Sequence, residues 1–180
     1  MPEISIDKLK GAGSASVDLR LGTWLLKLQQ TKKSVLELRK KDEKSSEEPG
    51  LTRPFYVPFH EKFILHPRTF VLGVTLEWIR LPKNLAGYVI GKSSWGRSGL
   101  IIATAAGVHP GFTGCLTLEL SNVGEMPIEI RPGMEICELF LHETKGWKKE
   151  GDKSRLVGYR RPVLVKVGMD PIAEKLAKEP

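Results

Sequence analysis

Apolar and polar positions alternate with a period of two along much of this chain. Val17, Leu19 and Leu21 alternate with Asp18 and Arg20, which predicts a strand over Ser16 to Gly22. Trp24 to Leu28 reads as the second arm of a hairpin beyond Gly22. Asp18 and Arg20 fall on one face and are placed to pair, as an ion pair or as ligand contacts. From Phe55 to Ile79 the text is again β. Phe63 to Leu65 and Phe70 to Leu76 are nearly continuous apolar runs, as expected of strands buried on both faces. Further strands are predicted at Leu85–Ile90, Cys115–Ser121, Pro127–Ile130 and Glu135–His142. Short strands separated by frequent turns predict a mostly-β barrel or jelly roll. Only Asp170 to Lys178 reads as helix, with Asp170 as cap and Pro171 at the first helical position.

Length and charge narrow this picture. The chain has 180 residues, enough for one domain with one core. No second domain or repeat is visible. Residues 39–50 form a charge-rich run with no face to bury, expected to be mobile. No apolar run approaches the roughly 20 residues of a membrane helix, and the N-terminus lacks a signal-peptide layout, so the reading is cytoplasmic with no membrane partner. Cys115 and Cys137 sit in strand-like text and read as buried free thiols. The formal net charge of +7 suits a polyanionic ligand. The cations are dispersed and aromatics are few, so no nucleic-acid platform is expected. His60 and His66 have no companion at metal-ligand spacing and read as structural.

The candidate chemistry lies between Gly91 and Glu119. Gly91, Gly96 and Gly99 bracket a turn that holds Lys92, Ser93, Ser94 and Arg97. Backbone N–H groups, hydroxyls, an ammonium and a guanidinium in one turn suit phosphate oxygens. The spacing matches neither a P-loop nor a dinucleotide fingerprint. Along Cys115 to Ser121, Leu116, Leu118 and Leu120 alternate with Cys115, Thr117, Glu119 and Ser121. The leucines face the core, and the other face reads as a pocket wall. Glu119 is then either a desolvated general base or a rim acid paired with an arginine. The H-x-E and P-C-x-x-C elements of zinc deaminases are absent.

Gly91-Lys-Ser-Ser-Trp-Gly-Arg-Ser-Gly99 and Pro110-Gly-Phe-Thr-Gly-Cys-Leu-Thr-Leu-Glu119 together resemble the deoxycytidine triphosphate deaminase branch of the dUTPase superfamily. Ala15 to Gly22, His66 to Glu77 and Asn122 to Gly133 extend the likeness, which covers roughly residues 15–165. The resemblance implies a dUTPase-like distorted barrel and a homotrimer with shared active sites. It implies zinc-free deamination of dCTP to dUTP and ammonia, with magnesium accompanying the triphosphate, feeding dUMP and thymidylate synthesis. Glu119 takes the place of the general base, and Ser93 and Arg97 match the groups that hold the water and stabilise the transition state. Lys92, Ser94, Trp95 and Gly96 fall in the phosphate-contacting loop, with Lys92 where the family usually has arginine. Thr117 and Leu118 match residues whose backbone meets the base. Ser154 to Pro162 aligns with the strap that closes over the nucleotide, which places Arg155 and Tyr159 at the substrate. His109 stands where the family carries an aspartate near the deoxyribose, and Gly107 also departs from the pattern. Those departures speak against a dUTP diphosphatase or bifunctional enzyme, and they keep open a nucleotide-binding or regulatory trimer without turnover.

Overall fold

The computed structural model describes residues 3–5, 16–32, 35, 50–103, 107–145, 158–164 and 175. Its strands are β1 (Glu3–Ser5), β2 (Ser16–Leu28), β3 (Thr52–Tyr56), β4 (Phe63–Leu65), β5 (Phe70–Thr75), β6 (Trp78–Arg80) and β7 (Leu85–Gly91). After the four-residue helix α1 (Ser93–Gly96) come β8 (Leu100–Ile102), β9 (Gly107–Val108), β10 (Thr113–Gly114), β11 (Thr117–Asn122), β12 (Ile128–Ile130) and β13 (Glu135–Glu143). The mostly-β, dUTPase-like fold expected from the sequence is present. The helix over 170–178 and the charged run over 39–50 lie outside the described residues, apart from Lys175 and Gly50.

The main sheet runs β8-β11-β5-β2-β13-β7-β9, with β3 also paired to β2, and curls into a half-barrel. Smaller sheets join β1-β6-β10 and β12-β4. One core fills the curl. Leu19, Leu21, Leu25, Val71, Leu118, Leu120, Ile136 and Leu139 are its centre. The doubly buried reading holds for Val71 to Thr75 but not for Phe70, nor for Phe63 to Leu65, where Ile64 is exposed because β4 pairs, among the described strands, only with the short β12 at the surface.

Two expectations fail around β2. Trp24 to Leu28 is not a hairpin arm but the second half of the same strand. The first half pairs with β13, and the second half pairs with β3 and β5. Gly22 marks the changeover rather than a turn. A side chain there would sit 3.0 Å from the Val74 carbonyl, so glycine lets the two backbones cross closely. Asp18 and Arg20 do not pair with each other either. Asp18 lies 2.7 Å from the Lys92 ammonium, and Arg20 bridges Glu77 and Glu135. Cross-strand and cross-loop partners present opposite charge, whereas neighbours two apart on one strand point outward in parallel.

Candidate active site

Strand β11 carries out the alternation expected of it. Leu118 and Leu120 are 0% exposed, while Thr117, Glu119 and Ser121 stand half-buried on the opposite face. Cys115 departs from this pattern. It precedes the strand and is buried. The register defines what surrounds Glu119. Leu72 on β5 lies directly opposite it, and on its other side Ala103 donates its N–H to the Glu119 carbonyl at 2.9 Å. Next along the face, Ser121 is flanked by Phe70 and Ile101. The carboxyl therefore stands in an apolar neighbourhood. Burial holds its pKa above the ordinary glutamate value. Among the described residues of one chain no arginine or lysine pairs with it.

The turn after β7 is the short helix α1. Ser93, Ser94 and Arg97 are exposed, and Trp95 and Gly96 are half-buried. Trp95 ties the turn to β13 through its indole N–H, which donates to the Glu135 carbonyl at 2.8 Å. Gly99 closes the turn at φ +90°, where a Cβ would lie 2.9 Å from the Gly124 nitrogen. Only glycine fits both demands. The Gly99 carbonyl accepts the N–H of Val123, which places the end of the turn four residues past Glu119, about 13 Å of strand. No hydrogen bond or ion pair joins Ser93 or Arg97 to Glu119 within the described residues of one chain.

The remaining sequence candidates are spread around this face. Leu118 is wholly buried, so only its backbone can meet a ligand. His109 is exposed on the turn between β9 and β10, where its carbonyl accepts the Phe112 N–H. Arg155 lies outside the described residues. Tyr159 is described and 43% exposed. Its segment docks on this same chain. Gly158 donates to the Thr113 carbonyl at 2.8 Å, and the Tyr159 carbonyl accepts the Cys115 N–H at 3.2 Å. Arg160 then covers the Trp78 ring at 4.8 Å and Arg161 the Trp24 ring at 4.0 Å. The sequence reading missed this clasp, having counted the Arg160-Arg161 pair only as dispersed charge. It also passed over Glu77 and Glu135. Glu77 is 2% exposed and receives the Arg20 backbone N–H at 2.8 Å. An acid following an apolar strand was the available signal.

Both cysteines are free and buried, as expected. Among the described residues no group of three or more His, Cys, Asp or Glu is placed to hold a metal. No described helix is long and apolar enough to cross a membrane.

With this geometry in place, the comparisons with known proteins are direct. Residues 2–144 match the family model described as "dCTP deaminase-like". The chain is 39% identical over 162 residues to the dCTP deaminase of Halorubrum lacusprofundi, covering 87% of this chain and 78% of that protein. It is 36% identical over 171 residues to a protein of Dictyoglomus turgidum named "dCTP deaminase, dUMP-forming", covering 91% and 84%. Among solved structures, the 2'-deoxycytidine 5'-triphosphate deaminase of Agrobacterium tumefaciens superposes with a TM-score of 0.54 at 20% identity, over 78% of this chain. The chain spans only 40% of that larger protein, and the likeness there is one of fold.

Proposed function

The chain belongs to the dCTP deaminase-like family, and from that membership we propose that it deaminates dCTP hydrolytically, without zinc, in a homotrimer of the cytoplasm. The observation that carries the proposal is Glu119: a half-buried carboxyl with no ion-pair partner among the described residues, whose pKa burial raises, on the polar face of a strand whose other face is core. Such a group takes a proton from water as the oxygen attacks C4 of the cytosine ring. It returns a proton to the departing amino group, and ammonia leaves. A base with an ordinary, low pKa would release protons readily but accept them poorly.

Thr117 and the Leu118 backbone border the base in this reading. Ser93 and Arg97 hold the water and stabilise the charge that develops, and they come from a neighbouring subunit. Among the described residues of one chain no hydrogen bond or ion pair joins Ser93 or Arg97 to Glu119, which supports that assignment. The turn from Ser94 to Gly96 serves the triphosphate end, with the nucleotide bound as its magnesium salt. His109 borders the sugar. Arg155 and Tyr159 belong to the segment that covers the nucleotide.

One of these relatives is named simply dCTP deaminase and the other is named dUMP-forming. His109 favours stopping at dUTP, because the resemblance puts at that place an aspartate that, in dUTPases, handles the attacking water. The departures at Gly107 and His109 also support a second reading, a trimer that binds nucleotide without turnover. One assay separates these outcomes. The purified protein is incubated with dCTP or dUTP and magnesium, and products are resolved. Ammonia with dUTP is the expected result. Ammonia with dUMP and pyrophosphate assigns the dUMP-forming reaction, and binding without product assigns the regulator.

A further inference from the structure

Lys92 is the one cation of the phosphate-type turn whose partners the structure displays, and they are acids of its own chain. Its ammonium lies 2.7 Å from Asp18 Oδ1 and 3.4 Å from Glu135 Oε2. The other Glu135 oxygen lies 2.7 Å from Arg20, whose second arm reaches the buried Glu77 at 3.4 Å. Three acids thus face two bases. Asp18 also stands opposite Glu138 in the β2–β13 register, a like-charge neighbour that Lys92 offsets. Asp18 is the main reason the Lys92 pKa is raised. A triphosphate brought to this ammonium meets an acidic surplus.

The same residue builds the turn. Its carbonyl accepts the N–H groups of Trp95 and Gly96, each at 3.1 Å, and its own N–H donates to the Ile136 carbonyl at 3.3 Å. Glu135 holds the turn twice, through its carboxylate on Lys92 and its carbonyl on the Trp95 indole. We propose that Lys92 is a positioning residue rather than a phosphate ligand: with Asp18 and Glu135 it clamps the start of the turn to β2 and β13, and so sets the aim of Ser93 and Arg97. The proposal rests on the reading above that Ser93 and Arg97 serve the reaction.

The two roles predict opposite signs for one substitution. If Lys92 bound phosphate, Asp18→Asn would free it, and KM for dCTP would fall. If Lys92 clamps the turn, Asp18→Asn and Lys92→Met loosen the same contact. Both then lower kcat on the order of tenfold, with KM little changed, because a misaimed group costs the transition state and not binding. The double variant is no worse than the worse single one, and Lys92→Arg restores most of the rate. Hydrogen exchange of the ligand-free protein adds a readout independent of turnover, since amides over 93–99 should exchange faster in Lys92→Met and in Asp18→Asn. A lower KM in Asp18→Asn, or unchanged exchange over 93–99 in Lys92→Met, overturns the clamp. If the wild-type protein deaminates nothing, the functional reading fails while the exchange experiment still decides the clamp.

Discussion

A carboxyl that shuttles protons near neutral pH has to be held above its ordinary range, and burial does this for Glu119. The proposed reaction needs the ionised form. Rate should therefore fall as pH drops through the raised pKa, with an acid limb lying above the ordinary glutamate value of about 4.3. The same shift costs stability. An acid with a raised native pKa holds its proton longer folded than unfolded, so stability declines as pH rises through the window between the two values. Replacing Glu119 with Gln removes both effects. We expect Glu119→Gln to lose at least about 10²-fold in ammonia release, to bind nucleotide nearly as before, and to melt at or above the wild-type temperature at neutral pH. A rate within a few-fold of wild type would remove Glu119 from the mechanism. Burial also acts on the thiols. It raises Cys115 and pushes Cys137 to about 12. A thiol so rarely ionised is a poor nucleophile. A chromogenic disulfide reagent at pH 8 should leave Cys137 unlabelled in the native protein and titrate two thiols after denaturation.

At the scale of elements, the legible parts were those where one period dominated. The alternation over 115–121 identified the core leucines and aimed Thr117 and Glu119 at a common face, needing no tertiary information. The continuous run in β5 identified a doubly buried strand for the same reason. β2 was misread because a glycine in a strand signals either a turn or a close crossing, and only the Val74 carbonyl beside Gly22 decides between them. The partners of Asp18, Arg20 and Lys92 were equally hidden, since charge pairs form between elements whose register a single sequence does not display. Two elements give tests. Gly99→Ala forces a β-carbon into the Gly124 backbone at positive φ, which should cost at least about 1–2 kcal/mol and lower the melting temperature by several degrees. The segment from Gly158 to Arg161 is held by two backbone hydrogen bonds and two arginine–tryptophan contacts, each contact contributing about 0.5–2 kcal/mol. Arg161→Ala should loosen it where it meets Cys115. Labelling of Cys115 should then rise while Cys137 stays protected, and equal protection of both thiols in the variant would argue against the clasp.

At the scale of the whole molecule, the two halves of the proposed chemistry lie on separate elements, and among the described residues of one chain no hydrogen bond or ion pair joins them. Glu119 lies mid-strand in β11, whereas the turn bearing Ser93 and Arg97 ends beside Val123. The proposed trimer with shared sites would resolve this by letting one chain's turn face the next chain's strand, a heterologous contact that closes into a ring. Light scattering should give the mass of three chains of 20.1 kDa, and a monomer would leave the site incomplete. Subunit mixing is the sharper measurement. Glu119→Gln and Arg97→Ala are each expected to be inactive as pure trimers. When the two are unfolded together in equal amounts and refolded, chains associate at random. A site is intact when the subunit giving Glu119 carries the Arg97 change and its neighbour carries the Glu119 change, so about a quarter of sites recover. Activity near one quarter of wild type therefore supports shared sites. If Glu119 and Arg97 instead met within one chain, every site would contain one lesion and mixing would restore nothing.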